Sequence, residues 1–302
     1  MTYVLGRAAD TARGVLARAL PGNSILSWTD PVRERIALVT GAGAGIGRAT
    51  ATELARRGAH TLVLVDLDTD RLTGTVAAVE AAGARAVPRA VDVADRGAMV
   101  ALADEVRTLI GTVDILVNNA GIGMAGRLFE TDEQHWDRII DVNLRSVIVG
   151  TTLFGAQMVD RGSGGVILNV ASASAFLPSK AMVAYSTTKS AVLGFTESVR
   201  ADLADHRIRV SAVCPGFVNT DIATSTVYAG ASATEQERSR QRAARAYSLR
   251  NYPPERAARV IVDSIGANRP VVLVGAESRL GYLAWHVAPA VVRLIARYDV
   301  RL

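Results

Sequence analysis

Short apolar runs alternate with longer segments of helical periodicity along most of this chain, and the alternation predicts a parallel α/β sheet. Each apolar run is five or six residues long, which is typical of a strand buried on both faces. Seven strands are predicted, at residues 36–40, 61–65, 86–91, 113–117, 166–170, 208–213 and 270–274. The segments between them predict helices at residues 48–57, 68–82, 96–110, 133–160 and 183–204. We therefore expect one domain, residues 34–275, with a doubly wound, mostly parallel seven-stranded sheet.

Glycine, proline or polar residues stand where the predicted strands end. Six of them are Gly41, Asp66, Asp92, Asn118, Ser172 and Pro215. In an open parallel sheet, ligands bind beyond the carboxyl ends of the strands, so we expect these residues to surround one ligand site. Three of them have structural alternatives, because Asp66 and Asp92 could cap the following helices and Asn118 could be a turn residue.

The first predicted strand runs directly into a glycine-rich turn, T-G-A-G-A-G-I-G, at residues 40–47. Strand, glycine turn and helix together place backbone N–H groups and a helix N-terminus against a pyrophosphate. The spacing is T-G-x-x-x-G-x-G rather than G-x-G-x-x-G, because Ile46 occupies the last position of the commoner pattern. Asp66 follows Gly47 by nineteen residues and suits the hydroxyls of an adenosine ribose. A dinucleotide site is therefore favoured over a glycine-rich turn without a ligand.

Tyr185 and Lys189 lie four residues apart on a predicted helix, so their side chains share one face. A phenol titrates near pH ~10, but an ammonium within ~4–6 Å typically lowers that pKa by ~1–3 units. Tyr185 is therefore a candidate proton carrier for an alcohol or carbonyl oxygen near neutral pH. Ser172, thirteen residues upstream, is the candidate hydroxyl that holds this oxygen, and Ser174 is the alternative.

Several independent motifs occur in one order and spacing: the glycine turn, N-N-A-G at residues 118–121, Asn143, Ser172, Tyr185, Lys189, and P-G at residues 215–216. Over residues 35 to 274 or thereabouts, this series resembles the short-chain dehydrogenase/reductase family. The resemblance implies a Rossmann-type fold and hydride transfer between NAD(H) and a secondary alcohol or ketone. It also implies a catalytic set of Asn143, Ser172, Tyr185 and Lys189, in which Asn143 holds a water of a proton relay.

The resemblance further implies a set of cofactor-binding residues: Gly41, Gly45, Ile46, Gly47, Asp66, Asp92, Val93, Asn118, Tyr185, Lys189, Pro215, Gly216, Val218 and Thr220. Within this set, Asp92 and Val93 are implied to meet the adenine. Thr220 is implied to contact the nicotinamide amide, and a simple turn hydroxyl is the alternative for it.

NAD is expected in preference to NADP, because a 2′-phosphate would meet the Asp66 carboxylate as a like charge. The resembling family's NADP users often place a cation at two positions that are Ala44 and Leu67 here. Arg48 and Arg71 are near in sequence, and we expect both to face elsewhere. The alternatives that stay open are a catalytically silent NAD-binding regulator, an NADP-dependent ketone reductase, and an epimerase or dehydratase that reuses bound NAD.

Composition narrows the classes of partner. The net charge is +5, but the arginines are spread along the sequence without interleaved aromatics, so no nucleic-acid partner is expected. A single cysteine, Cys214, excludes an internal disulfide and fits a reducing compartment, and the first residues lack a secretory pattern. We therefore expect a cytoplasmic protein. One cysteine and four scattered histidines give no metal-ligand spacing, so no metal is expected.

The substrate is expected to be an apolar alcohol or ketone, of lipid, steroid or terpenoid type, because residues near the predicted site are apolar. Those residues are Met124, 175–178, Met182, Val183 and Phe217. Residues 219–251, a segment of low periodicity, are expected to fold over the substrate.

Self-association into a homodimer or homotetramer is expected through the helices at residues 133–160 and 183–204. The candidate contact residues are Val147, Phe154 and Met158 on one helix, and Leu193, Phe195 and Val199 on the other. Burial of these side chains within one subunit is the alternative.

The two ends of the chain, residues 1–33 and 276–302, lie outside the resemblance. Both carry apolar positions at helical spacing with arginines among them, and neither has the ~20 apolar residues that span a bilayer. Packing on the domain or at a subunit interface and weak association with an anionic membrane surface are both open, and for the N-terminal end so is a cleaved targeting peptide.

Overall fold

The computed structural model describes residues 31–298. The N-terminal amphipathic extension predicted at residues 1–33 lies outside the described residues, apart from its last three. The strands are β1 Ile36–Thr40, β2 Thr61–Asp66, β3 Arg85–Ala90, β4 Ile115–Asn118, β5 Met124–Ala125, β6 Gly165–Val170, β7 Ile208–Pro215, β8 Val227–Tyr228 and β9 Val271–Val274. The helices are α1 Gly45–Arg56, α2 Thr69–Ala81, α3 Arg96–Leu109, α4 Glu133–Ile140, α5 Ser146–Arg161, α6 Val183–Asp202, α7 Ile222–Ser225, α8 Ala233–Arg250, α9 Pro254–Ala267, α10 Ala276–Val287 and α11 Pro289–Ile295.

Seven strands form one parallel sheet in the order β3-β2-β1-β4-β6-β7-β9, which confirms the predicted doubly wound Rossmann-type fold. β1 lies beside both β2 and β4, so the chain's direction of winding reverses there. A reversal of this kind opens a crevice at the carboxyl ends of the strands, where ligands bind in this architecture. β5 and β8 form a separate two-stranded parallel sheet beyond that edge.

Alternate strand residues pack on opposite faces of the sheet. Val39 and Leu62 belong to the cluster that includes residues of α1, α2 and α9. Leu38 and Val63 belong to the cluster that includes residues of α3 and α5. Because both faces are covered by helices, most strand residues are apolar, and the continuous apolar runs locate the strands in the sequence. The edge strand β3, which contains Arg85 and Arg89, is the exception.

The sequence predicted one continuous helix at residues 133–160. That prediction is wrong, because the helix is interrupted. A π-helical turn, Asp141–Arg145, separates α4 from α5. Within this turn the buried Asn143 accepts a hydrogen bond from the Ile122 backbone N–H at 2.8 Å and donates one to the Ile122 carbonyl at 3.0 Å. The irregular turn therefore accompanies a side chain that is bonded to the loop after β4, consistent with the frequent location of π-bulges at functional sites.

The span Glu133–Arg161 is long and apolar enough to cross a membrane by composition, but half of its apolar window is buried inside the molecule. Val147, Phe154 and Met158 are at most 1% exposed. These three were predicted to mediate self-association, and the structure instead buries them in the core of one subunit. Their helix packs on the sheet, and its apolar positions are used there.

Residues 219–251 contain more regular structure than the weak periodicity indicated. α8 is eighteen residues long and begins with a capping box between Ser232 and Glu235. Each of these residues bonds the backbone N–H of the other, and such a box satisfies two N–H groups of a helix start. α8 has no buried residue, so its sequence carries no apolar stripe by which it could be recognised.

The C-terminal residues 276–295 form α10 and α11, which pack beside the loop after β6. The ring of Tyr282 on α10 meets Phe176 edge-on, with centroids 5.4 Å apart. Gly281 lies against Leu177 so closely that a methyl group there would overlap the leucine side chain. The part of the C-terminal segment that the structure describes therefore forms one wall beside the carboxyl edge of the sheet.

Candidate active site

The glycine-rich turn after β1 has a backbone that only glycine adopts readily. Gly41 and Gly45 have φ values of +64° and +51°. A Cβ on Gly47 would overlap the carbonyl oxygen of Gly41, so the start of α1 can approach the turn only because residue 47 is glycine. The turn is therefore fixed by conformation and close packing.

Asn119 holds this turn from the neighbouring strand. Its side-chain amide donates to the carbonyls of Thr40 and Gly41, at 2.9 and 3.2 Å. In return, the Thr40 hydroxyl accepts from the backbone N–H groups of Asn119 and Ala120, at 3.0 Å each. Sequence reasoning missed both Thr40 and Asn119, although both lie within motifs that it had singled out.

Asn118, predicted to contact the cofactor, points the other way. Its side chain is 3% exposed and donates to Thr151 at 3.1 Å and to Asn169 at 2.9 Å, inside the core. Asn118 is the last residue of β4, and successive side chains of a strand face opposite sides. Asn118 therefore joins α5 and β6 beneath the site, while Asn119 is the residue that lines the cavity.

The Asp66 carboxylate ends β2 as predicted and is 7% exposed. It accepts the backbone N–H groups of Gly43 and Leu67, both at 2.9 Å. Arg48 faces elsewhere, as expected, because its guanidinium bonds the Gly43 carbonyl and, through Nε, Thr75. Arg71 does not face elsewhere: its Nε lies 3.4 Å from an Asp66 oxygen, and it lines the same cavity.

Asp92 and Val93 lie at the same edge and line the cavity. The Asp92 carboxylate accepts the backbone N–H of Ala94 at 2.9 Å and lies 3.1 Å from the guanidinium of Arg138 on α4. Asp92 does not cap the following helix. Asp95 caps α3 instead, because its carboxylate accepts the backbone N–H of Ala98.

Ser172, Tyr185 and Lys189 meet at the carboxyl end of β6. The Ser172 hydroxyl faces the Tyr185 phenol and lowers its pKa, and it accepts the backbone N–H of Ser174 at 3.1 Å. The Lys189 ammonium lies 5.9 Å from the centre of the Tyr185 ring and donates to the Val170 carbonyl at 2.9 Å. Ser172 rather than Ser174 is therefore the hydroxyl in contact with the phenol.

One cavity of about 940 Å³ joins these groups. Thirteen of the predicted site residues line it, namely Gly41, Gly45, Ile46, Asp66, Asp92, Val93, Ser172, Tyr185, Lys189, Pro215, Gly216, Val218 and Thr220. Gly47, Asn118 and Asn143 do not line it. Gly47 and Asn143 contact residues that do, Gly41 and Ile122, whereas Asn118 is bonded within the core. The cavity runs from the glycine turn past Tyr185 to residues of α8 and α11.

Comparison with known proteins agrees with this geometry. Residues 35–229 match the family model described as short chain dehydrogenase. The chain belongs to the short-chain dehydrogenase/reductase family. Members of this family are oxidoreductases that use a nicotinamide cofactor, NAD or NADP.

Individual relatives cover most of the chain. It is 38% identical over 265 residues to "Probable oxidoreductase EphD" of Mycobacterium tuberculosis, a match that covers 87% of this chain but 44% of EphD. The chain thus spans less than half the length of that relative. It is 35% identical to the M. tuberculosis protein SadH, a match that covers 87% of this chain and 94% of SadH. A short-chain dehydrogenase/reductase from Burkholderia phymatum, solved in complex with NAD, has a TM-score of 0.78 at 29% identity, over 88% of this chain and 96% of that one.

The residues around the cavity fit a nicotinamide dinucleotide. Gly45 lies against Thr220, where a Cβ would come within 3.0 Å of the threonine side chain, so the turn leaves no room for a larger residue. The buried Asp66 carboxylate lies at one end of the cavity, and Lys189 and Tyr185 lie further along it. Bound there, the cofactor supplies the hydride acceptor or donor, while the protein holds the reactants and manages the proton.

Burial dominates the electrostatics around Tyr185. It raises the pKa of the Tyr185 phenol above its ordinary value, and the hydrogen bond with Ser172 opposes this rise only in part. The expectation that Lys189 lowers the Tyr185 pKa is therefore wrong for this arrangement. Burial also lowers the pKa of the Lys189 ammonium, from 10.5 to about 8, and the ammonium is engaged by the Val170 carbonyl.

The sole cysteine, Cys214, is a buried thiol at the end of β7. Burial raises its pKa to about 12, so the thiol is neutral at physiological pH. The structure supports the interpretation that Cys214 serves as a small apolar side chain of the core.

Proposed function

We propose that this protein transfers a hydride between NAD(H) and an apolar secondary alcohol or ketone. The observation that carries the proposal is that Ser172, Tyr185 and Lys189 line one cavity together with the glycine turn. A paired hydroxyl and phenol can hold one substrate oxygen and exchange its proton. The alternative of a silent regulator is disfavoured, since the sequence contains all four predicted catalytic residues.

Each catalytic side chain has a separate task in this proposal. The Tyr185 hydroxyl exchanges the proton with the substrate oxygen, and the Ser172 hydroxyl orients that oxygen. Lys189 supplies a positive charge near the phenol and a donor for the ribose of the cofactor. Asn143 fixes the loop at Ile122 and holds a water of the proton relay.

The space for that relay is left by a glycine. A Cβ on Gly121 would lie 3.2 Å from the Asn143 side-chain oxygen and 3.4 Å from the Lys189 ammonium. A side chain at residue 121 would therefore crowd these two polar groups, and a water of the proposed relay would need polar partners of this kind.

The Asp66 carboxylate favours NAD over NADP, and the Arg71 guanidinium beside it makes that preference smaller. The carboxylate is anchored by two backbone N–H groups, so it cannot turn away from a 2′-phosphate. Arg71 is about half exposed beside it, and a guanidinium is a good partner for a phosphate. We therefore propose a moderate preference for NAD, with NADP-dependent ketone reduction as the second candidate. The NAD-bound relative from B. phymatum supports the first.

The proposal of an apolar substrate rests on the lining of the cavity beyond Tyr185. Leu177, Met182 and Phe217 line this part, together with Val291 and Val292 of α11. Met124 and Phe176, which the sequence also indicated, are buried in neighbouring clusters and do not line it. Tyr247 of α8 faces this part of the cavity and packs edge-on against Phe217, with centroids 5.2 Å apart.

The direct experiment is a panel of secondary alcohols and ketones of graded apolar size, each incubated with NAD(H) or NADP(H). Absorbance of the reduced nicotinamide reports turnover, and samples without substrate give the background. The proposal expects turnover that rises with apolar size and is faster with NAD(H). Tight cofactor binding without turnover of any compound would favour the silent regulator instead.

A cytoplasmic location and self-association remain proposals of the same kind. Leu193, Phe195 and Val199 on α6 are only partly buried, and Ile148 on α5 is 36% exposed. These side chains are the remaining candidates for a subunit contact. Sedimentation at micromolar concentration tests it, and a monomer would contradict it.

A further inference from the structure

The C-terminal helices carry a concentrated apolar surface. Seven of the fourteen large apolar side chains exposed within residues 31–298 lie on or directly after α10 and α11. They are Leu280, Leu283, Val287, Val291, Leu294, Ile295 and Tyr298, and each is 51–74% exposed. Scattered single apolar side chains are normal on a protein surface, whereas a cluster marks an interaction site. We refer to these seven side chains as the C-terminal apolar face.

Arginine dominates the charge along this segment. Residues 278–298 contain Arg279, Arg293 and Arg297 and no Asp or Glu, and Asp299 follows them in the sequence. Glu277 precedes them, and its carboxylate lies 3.6 Å from Nε of Arg250. Apolar side chains flanked by arginines are the chemistry of a helix that lies in the interface of an anionic bilayer.

An aromatic residue completes that pattern. Trp285 is partly buried on α10, and the Arg293 guanidinium lies 5.9 Å from the centre of its ring. Tryptophan and arginine are both suited to the headgroup level, where an apolar body and a polar tip are satisfied together.

The same helices form a wall of the cavity. Val291, Ile295 and Tyr298 line the cavity, although each is more than half exposed to solvent. The C-terminal apolar face is therefore continuous with the apolar end of the cavity. A lipid surface against this face would lie directly beside the opening through which an apolar compound enters.

A second copy of the chain is a poorer partner for this face. In a two-fold contact the same patch meets itself, so the arginines of both copies would be brought together. Residues 278–298 contain three arginines and no carboxylate to offset them, and like charges across an interface are costly.

We propose that the C-terminal apolar face docks on an anionic lipid bilayer and places the cavity opening at the membrane surface. The test is flotation of the full chain with vesicles of phosphatidylcholine containing phosphatidylglycerol, against vesicles of phosphatidylcholine alone. The main variant is Leu283→Glu with Leu294→Glu, two exposed positions that do not line the cavity. Leu109→Glu is the matched control, since Leu109 is 65% exposed on α3, away from this face.

The proposal expects the wild type and Leu109→Glu to float with the anionic vesicles, and the double variant to lose about tenfold in bound fraction. Binding should weaken as salt is added, because the arginines act through screened charge. Circular dichroism melting checks that the variants are folded, and flotation does not depend on turnover, so failure of the proposed reaction leaves this test intact.

Three results would overturn the proposal. They are no flotation of the wild type, equal flotation of the double variant, or a wild-type dimer that the double variant dissociates without any vesicle binding. In the last case the face would be a subunit interface.

Discussion

The two ends of the cavity are built in different ways. The cofactor end consists of backbone: Gly41 and Gly45 at positive φ, and Asn119 bonded to the Thr40 and Gly41 carbonyls. The substrate end consists of side chains from loops and helices, among them Phe217, Tyr247 on α8 and Val291 on α11. A single added methyl is incompatible with the first end, whereas the second can adjust to changes in side-chain volume.

The two ends differ in how firmly the sheet holds them. Backbone geometry at the ends of β1, β2 and β4 is fixed by the sheet, so a cofactor site placed there is rigid. Helices α8 and α11 have few or no buried residues of their own, so they can vary in sequence without loss of the core. We therefore expect substitutions in the glycine turn of the cofactor end to have larger effects than substitutions at the substrate end.

The largest effect in this comparison is expected for Gly47→Ala. The added methyl would overlap the Gly41 carbonyl oxygen, so the turn must shift away from α1. Overpacking of this kind costs about 1–3 kcal/mol, which corresponds to a loss of up to about 100-fold in cofactor affinity. Fluorescence titration with NADH measures it. The control is Gly194→Ala on α6, where a Cβ meets nothing within 4 Å; equal affinity of both variants would break the comparison.

Lys189→Met is expected to raise stability, because the ammonium is buried at a cost. The unfolded chain binds this proton with a pKa of 10.5, and the folded protein binds it with a pKa of about 8. Between these values the unfolded state holds more protons, so the stability of the wild type rises with pH. At pH 7 the variant should gain up to about 3 kcal/mol in free energy of unfolding, and less at pH 10.

Urea unfolding at the two pH values measures this difference. Lys180→Met removes the only other lysine of the sequence and serves as the control. A Lys189→Met variant that is less stable than the wild type at pH 7 would show that the hydrogen bond to Val170 outweighs burial of the charge.

At the substrate end, Tyr247→Ala should act on substrate binding alone. Loss of its contact with the cavity is worth about 1 kcal/mol, so KM for an apolar substrate should rise about fivefold with little change in kcat. Leu249→Ala lies on the same helix, 78% exposed and away from the cavity, and should change neither constant. A large fall in kcat for Tyr247→Ala would contradict the division between the two ends.

The smallest effect is expected for Arg71→Leu. This substitution changes the charge at the cofactor end and leaves the glycine turn unaltered. Removal of a half-exposed guanidinium beside Asp66 should weaken NADP binding about three- to fivefold and leave NAD binding unchanged. Fluorescence titration with both cofactors measures the ratio, and Arg56→Leu, an exposed arginine away from the cavity, is the control. An unchanged ratio would show that Arg71 plays no part in cofactor choice.

Much of the cofactor end could be predicted from the sequence, because its determinants are local. Glycines at fixed offsets after an apolar run define the turn, and Asp66 ends the second run. The sequence predicted Asn118 as a cofactor contact, but Asn119 is the residue that lines the cavity, which shows where local sequence patterns fail. A boundary wrong by one residue reverses which side chain faces the site, and only the observed end of β4 settles it.

The substrate end could not be predicted, because its residues come together only in the folded chain. α8 has no apolar stripe, and α11 reaches the cavity from more than 100 residues beyond Tyr185. The direction in which the Tyr185 pKa shifts also could not be predicted from the sequence. The spacing to Lys189 was correct, but the burial that raises the pKa depends on the packing around both side chains.

In the proposed reaction Tyr185 carries the proton, and the cofactor end of the site is built independently of Tyr185. The substitution Tyr185→Phe is the direct test, with turnover and NADH affinity measured on the same sample. Tyr282→Phe, a tyrosine that packs on Phe176 and does not line the cavity, is the control. We predict that Tyr185→Phe lowers turnover by ~10²–10⁴-fold and leaves NADH affinity unchanged, since the glycine turn and Asp66 are untouched. Turnover close to that of the wild type would contradict the account.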